Sequence, residues 1–524
     1  MLETLSARRG AVTAPHHLAA QSGLAVLRDG GNAIEAAVAA AATIAVVYPH
    51  MNGIGGDGFW IIGEAGKAPR AIDACGRSGA GVDIGLFEGL DRVPSTGPLA
   101  ACTVAGTISG WMSALEISDA WGGKLPVSRL LEDAIHYADA GFPLSAQLAA
   151  ATARGAEDLA DLPGYADIFL DGDAGRPVGH MLRNPDLARL LERLVTAGLD
   201  DFYRGDAARA IAEGLDKAGI PLTLDDLASQ SAIAVDPLSV AVGGATVHAM
   251  PPPTQGVAAL MILGQFERLG ISEAEGFDHV HGIVECIKQA YAVRDAEVAD
   301  PATMTADAAA MLAADNLDAL AGSIDRARAA PWPHPSGGSD TIWLGVIDGE
   351  GRAVSFIQSL FHEFGSGIVV PGTGLVWQNR ASGFSLVPDH PNQVRPEQKP
   401  FHTLCPAMAT FDDGRRMSFG TRGADGQPQT LAAIFSRYAL FGQSLQESVS
   451  APRWRLGMGT GTTLGIESRF SGAVIDALRD AGHDIVITDP YDPIMGHAGA
   501  LVAHPSGVIE AATDPRSDGS VGTF

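Results

Sequence analysis

Cysteine is scarce in this 524-residue chain. The four present, Cys75, Cys102, Cys286 and Cys405, stand far apart, with no Cys-x-x-Cys pair. That spacing argues against a zinc site and against a disulfide framework. Positive charge is also short: 35 Lys and Arg face 61 Asp and Glu, a formal charge of −26. Such a surface repels phosphate backbones and anionic bilayers, so neither nucleic acid nor a membrane is expected as a partner. Long apolar runs are missing. The longest, residues 36–48, is too short to span a bilayer and sits inside a helical pattern. The amino end carries no apolar run of signal-peptide length, and the cytoplasm is the expected compartment. No repeat of ~20–50 residues is present. The glycine-rich run at 52–58, Asn-Gly-Ile-Gly-Gly-Asp-Gly, lacks the Gly-Lys-Ser/Thr ending of a P-loop and does not follow a strand. It reads as backbone that passes close to something, not as a phosphate cradle.

What is there suits a large globular core: 46% hydrophobic and 18% charged residues, in a chain long enough for two or more domains. His16 and His17 precede a helical pattern and read as capping or core residues. Asn32 is placed to cap an alanine-rich helix over 33–47 that is apolar nearly all round and therefore buried. A strand is expected at 59–62 and a strand end at 71–77. Residues 127–330 read as mostly helical, with a strand at 245–250 that ends in the rigid turn Pro251-Pro-Pro-Thr-Gln-Gly256. An amphipathic helix is expected over 279–298. Residues 327–339 are rich in Pro, Gly and Ser and form the best linker.

Beyond the linker the pattern changes to strands: 342–347, 353–357, 368–370, 375–377, 407–411 and 416–419, then 484–487, 499–503 and 508–511, with helices at 430–440 and 472–481. The junction is abrupt. Ser336-Gly-Gly-Ser-Asp-Thr341 runs straight into Ile-Trp-Leu-Gly-Val-Ile. A hydroxyl at the head of a buried strand, directly after a loop, suits self-cleavage. Thr341 would attack the carbonyl of Asp340 and shift the chain from nitrogen to oxygen, and water would release the ester. Thr341 would then carry a hydroxyl and a free α-amine, which titrates near ~8 and can act as its general base. The plainer reading is a β-branched residue that starts a strand. Strands interleaved with helices around an internal cut point to an α+β or α/β fold.

Several blocks decide between these readings: Gly30-Gly-Asn-Ala-Ile-Glu-Ala-Ala-Val38, the 52–58 run, Met250-Pro-Pro-Pro253, Phe364-Gly-Ser-Gly367, Lys399-Pro400, Ala451-Pro-Arg453 and Thr513-Asp-Pro-Arg516. With these the chain resembles the γ-glutamyltranspeptidase family of Ntn-hydrolases over nearly its whole length. The resemblance implies an α+β fold, a four-layer αββα sandwich made by a large subunit (1–340) and a small subunit (341–524) cut from one precursor. It implies Thr341 as nucleophile, Ser359 as the hydroxyl bonded to it, and the amides of Gly423 and Ala424 as the oxyanion hole. It implies a small-molecule substrate, no metal and no organic cofactor, and it leaves open a homo-oligomer of the processed heterodimer.

The departures bear on the substrate. Where glutathione-cleaving members hold the substrate's α-ammonium with an aspartate, this chain has Gly383. The neighbouring glutamine is Arg380, an asparagine is Phe361, and two serines are His402 and Thr403. The arginine for the α-carboxylate matches Cys75, with Arg77 two residues on. A guanidinium without a carboxylate is wrong for an ammonium and suits a lone anionic group. Arg380, His402, Thr403 and Arg77 are therefore the candidate substrate contacts. Arg380 could instead pair with Asp425 or Glu363, and His402 could be a hydrogen-bonded core residue. Arg422 is either a second anion contact or a solvated loop charge. The stretches around Thr341, 356–367, 376–380, 401–403 and 425–429 look like the oxamate amidohydrolase subgroup, which hydrolyses oxamate to oxalate and ammonia. The alternatives are a glutathione hydrolase or γ-glutamyltransferase, with a cephalosporin acylase as a variant, and an uncleaved protein that binds a small anion.

Overall fold

In the computed structural model, residues 2–332, 340–458 and 461–524 are described. Residues 333–339, with most of the Ser/Gly loop, lie outside these, and so does the side chain of Asp340. Two seven-stranded sheets dominate. One runs Ser520–Thr523, Gly10–Ala14, Asp340–Asp348, Ala353–Phe361, Asp57–Gly63, Arg70–Ala74 and Ile233–Val235. The other runs Leu5–Ala7, Ile509–Thr513, Ala498–Ala503, Arg416–Thr421, Ala407–Phe411, Ala245–Ala249 and Leu238–Val242. Every ladder in both is antiparallel. Segments from before and after Thr341 interleave in both sheets.

Side-chain alternation builds the layers. Along Asp340–Asp348, Ile342, Leu344 and Val346 face a helical core that contains the helix Ala33–Val47. Trp343 and Ile347 point the other way, into a thin core with Phe59, Ile61, Met408 and Leu501. Met408 and Leu501 belong to the second sheet, so this core is the contact between sheets. The outer face of the second sheet meets the helices Gly256–Arg268, Phe277–Glu297 and Gly426–Phe435. The order helix, sheet, sheet, helix is the αββα sandwich.

Local chemistry sets the ends of the elements. Every residue of Ala33–Val47 is buried, and Asn32 and Glu35 close a capping box at its start. His16 caps the helix His17–Arg28, with the Leu18 amide donating to its Nδ1 at 3.3 Å. The glycine-rich run does pass close to its neighbours. A Cβ on Gly55 would strike the Val376 carbonyl oxygen, and one on Gly56 the Ser359 carbonyl oxygen.

Several expectations shift. The short strands Leu5–Ala7, Gly10–Ala14 and Ser520–Thr523 carried no readable pattern, nor did Trp454–Met458 and Thr463–Glu467. The strands expected at 368–370 and 375–377 shrink to the two-residue ladder Val369–Val370 with Leu375–Val376. The helix expected at 430–440 begins at Gly426 and ends at Phe435, with a wider turn over Ser436–Leu440. The helix Phe277–Glu297 is not simply amphipathic, because it buries Lys288 and Arg294. Lys288 meets Glu285 at 2.6 Å and Arg294 meets Asp425 at 2.7 Å, and these partners offset the desolvation. No helix among the described residues is long and apolar enough to cross a membrane.

Candidate active site

Thr341 sits opposite an irregularity in the neighbouring strand Ala353–Phe361. Asp340 pairs with Phe361 and Ile342 with Gln358, so Thr341 alone faces both Ser359 and Leu360. This bulge breaks the regular ladder and turns the Thr341 hydroxyl onto that of Ser359, 3.0 Å away. The Ser359 oxygen also accepts the Phe361 amide at 2.8 Å. With that lone pair filled, the hydroxyl pair has a fixed geometry. Thr341 and Ser359 are both 0% exposed.

The loop after Arg416–Thr421 reaches the same end of the sandwich. Ser418 Oγ donates to the Val354 carbonyl at 2.8 Å, Ser355 Oγ donates to Phe419 at 3.4 Å, and Gly420 lies against the Trp343 ring. Val354 and Ser355 pair with Val346 and Gly345. Moving from Ser418 to Gly420 therefore tracks from Val346 towards Trp343, and the next residues arrive at the Thr341 end. There Gly423 (φ 124) and Ala424 (φ 46) form a left-handed turn. Among the described residues, neither amide donates to any acceptor. Gln255, from the Pro251–Gly256 turn, holds the loop: its Nε2 donates to the carbonyls of Ala424 and Thr403, each at 2.7 Å. Arg294 bridges Gln255 Oε1 and Asp425 Oδ1, both at 2.7 Å. A pair of unengaged amides in a braced turn is what a developing oxyanion requires.

Beside the hydroxyl pair lies a buried guanidinium. Arg380 is 0% exposed, and its carbon stands 3.8 Å from the centre of the Phe361 ring. Its Nη1 donates to Thr403 Oγ1 at 3.3 Å. Its Nε and Nη2 have no partner among the described residues. Burial pushes its pKa down to about 10, so it remains a cation at neutral pH. The two acids considered as partners are engaged elsewhere, Asp425 with Arg294 and Glu363 with Arg154. His402 is also fully buried, and the Leu404 amide donates to its Nδ1 at 3.4 Å. The ring proton is thereby assigned to Nε2, which donates to Asp57 Oδ2 at 3.1 Å. Burial, and then the charges of Arg380 and Lys399, hold His402 well below its ordinary pKa and keep it neutral.

A family model for gamma-glutamyltranspeptidase matches residues 19–524. The chain belongs to the gamma-glutamyltranspeptidase family. It is 50% identical over 520 residues to the oxamate amidohydrolase proenzyme of Klebsiella pneumoniae, covering 98% of each chain. It is 37% identical to the glutathione hydrolase-like YwrD proenzyme of Bacillus subtilis, covering 97% of each. Among solved structures, a cephalosporin acylase from Bacillus halodurans superposes with a TM-score of 0.92 at 30% identity, covering 100% of this chain and 97% of that one. The chain is thus a hydrolase of the Ntn type, and its two-sheet sandwich is that of the gamma-glutamyltranspeptidase family.

Within this family frame, the candidate residues divide. Thr341, Ser359, Arg380, Thr403 and His402 share one end of the strand pair, joined by the bonds above and by Phe361 beneath Arg380. Arg77 does not join them. Its guanidinium is 46% exposed and binds Asp300 at 3.3 Å and the Glu397 carbonyl at 3.0 Å, beside a surface cavity of about 480 Å³. Cys75, at the family's arginine position, is buried, and burial raises its thiol pKa well above the ordinary value. Gly383 ends the short turn Arg380–Gly383, and its carbonyl accepts from Asn392 at 2.6 Å. Arg422 is no solvated charge: it is buried, and its Nη2 donates to the Pro493 carbonyl at 2.8 Å and lies 3.3 Å from His497 Nε2. Sequence reasoning missed Asp57 and Gln255. An acid inside an otherwise apolar lead-in to a buried strand was the available signal for Asp57.

Proposed function

We propose that the chain is a self-processing N-terminal-threonine amidohydrolase, cut between Asp340 and Thr341, whose substrate is a small amide bearing one carboxylate, with oxamate the best match. The observation that carries this reading is Arg380: a fully buried guanidinium whose Nε and Nη2 have no partner among the described residues, and glycine at the position that would need an acid to hold an ammonium. A carboxylate can take both N–H groups. The 50% identity to a protein named oxamate amidohydrolase proenzyme points the same way.

In this reading Thr341 Oγ attacks the Asp340 carbonyl, and water hydrolyses the resulting ester, leaving chains of residues 1–340 and 341–524. With the substrate carboxylate on Arg380, Thr341 Oγ attacks the amide carbon, and its own α-amine takes the proton. The amides of Gly423 and Ala424 hold the oxyanion. Collapse returns the proton to the leaving nitrogen, which departs as ammonia. Water, activated by the same amine, hydrolyses the oxalyl ester, and oxalate leaves. Ser359 fixes the nucleophile and His402 packs beside the subsite. No step calls for a metal or an organic cofactor.

The test compares ammonia release from oxamate with cleavage of a γ-glutamyl anilide by the processed protein. Faster turnover of oxamate is expected. A preference for the γ-glutamyl compound would overturn the substrate assignment and favour a glutathione hydrolase. Ser359→Ala is expected to slow both precursor cleavage and turnover by about 10–100-fold, since it removes one hydrogen bond to the reacting hydroxyl. A time course of intact masses, run beside the ammonia assay, checks both.

A further inference from the structure

Asp57 carries a charge that the mechanism above leaves unused. It is 0% exposed and lies directly across the ladder from Ser359. Its two oxygens differ. Oδ1 accepts from the amides of Gly76 (2.9 Å) and Gly106 (3.1 Å) and from Gln378 Nε2 (3.3 Å). Among the described residues Oδ2 accepts only from His402 Nε2. Three donors saturate Oδ1, so a proton can be added only at Oδ2, on the lone pair that His402 does not use.

The charges around Asp57 can be counted. His402 is neutral. Burial holds the Cys75 thiol and the Tyr203 phenol in their protonated, neutral forms. Lys399 and Asp73 form a closed pair at 2.6 Å. What remains, beside the Thr341 α-amine that cleavage would free and that is neutral when it acts as base, is Arg380, positive, and Asp57, mostly ionised above about pH 7; among the described residues no ion pair joins the two. The empty subsite is balanced. A bound carboxylate would leave two anions against one guanidinium in a dry pocket, which is costly.

We propose that Asp57 is the proton-linked counter-charge of the anion subsite: it balances Arg380 while the subsite is empty and takes a proton onto Oδ2 when a substrate carboxylate settles on Arg380. The inference rests on the anion-subsite reading above. The proton comes from solvent and returns to it when the dianionic product leaves, so the cycle balances. Burial has already pushed the Asp57 pKa up to about 7, so little more is needed to tip it. Asp57 acts through Arg380 and is a positioning residue.

The experiment is calorimetric binding of oxalate to the processed enzyme, in buffers of different ionisation enthalpy. Oxalate itself is fully ionised across the range used. At pH 8 the wild type is expected to take up about one proton per oxalate. Its affinity should fall about tenfold per pH unit above pH ~7. Asp57→Asn is expected to bind with no uptake from this source and with a flat profile. Oxalate binding without proton uptake in the wild type overturns the inference. So does an unchanged uptake in Asp57→Asn, which would put the proton on the Thr341 amine. Because Asp57→Asn can fail to fold, the wild type is also tested alone by difference infrared spectroscopy at pH 8. A protonated-carboxyl C=O band should appear on adding oxalate, and its absence overturns the inference. If oxalate does not bind and oxamate is not turned over, the proposed function falls together with the inference.

Discussion

Thr341→Ala is expected to remain a single chain of 524 residues and to release no ammonia from oxamate, a loss on the order of 10⁴-fold or more. In the proposed cycle the hydroxyl is needed twice, for the cut and for turnover, and the α-amine that would serve as base exists only after the cut. The hydroxyl bonded to it, Ser359 Oγ, cannot substitute. It sits within a strand, with no amine of its own, and one of its lone pairs is taken by the Phe361 amide. Intact-mass spectrometry of wild type beside variant is the check. A variant that still splits before residue 341 would remove Thr341 from its proposed role. A wild type that stays whole would leave a small-anion-binding protein as the reading to pursue.

Arg380→Gln is expected to raise the KM for oxamate by about 10²–10⁴-fold, with a smaller change in kcat. Two charge-assisted hydrogen bonds to a buried carboxylate are lost, each worth about 1.5–3 kcal/mol. The variant should still fold. Asp57, deprived of its opposing charge, can take a proton and become neutral, which spares the core an isolated anion. Steady-state kinetics on oxamate, with the precursor cut followed by mass, separate the two effects. An unchanged KM would show that the carboxylate is bound elsewhere.

How far the sequence carried these conclusions depended on the range of the interaction. The Ala33–Val47 helix, the paired strands after Thr341 and the glycine-rich close approach are written in local patterns, and all were readable. Strands such as Leu5–Ala7 and Ser520–Thr523 are short. They exist because distant chain supplies their partners, Ile509–Thr513 for the first and Gly10–Ala14 for the second. No window of neighbouring residues holds that information. The site shows the same division. Thr341 and Ser359 could be aligned by motif, and Arg380 by its departure from one. Arg77 was chosen for its nearness in sequence to the expected arginine position, but the chain turns it outward to Asp300. Asp57 became visible only when Gly76, Gly106, Gln378 and His402 were brought around it from four separate segments.

The interleaving of strands around position 341 has a consequence for the enzyme's lifetime. The strand headed by Thr341 lies between Gly10–Ala14 and Ala353–Phe361, so the precursor lays down this order while it is one molecule. Once cut, the two pieces stay braided, but a processed enzyme that unfolds must find its other half by collision. Its recovery becomes second order. Processed protein diluted from denaturant should regain activity in a yield that drops as the final protein concentration is lowered. The uncut Thr341→Ala chain should recover its native circular dichroism at a rate that does not depend on concentration. A cut before Thr341 would thus exchange a unimolecular refolding for a bimolecular one, so that at low concentration the enzyme's persistence rests on its unfolding barrier.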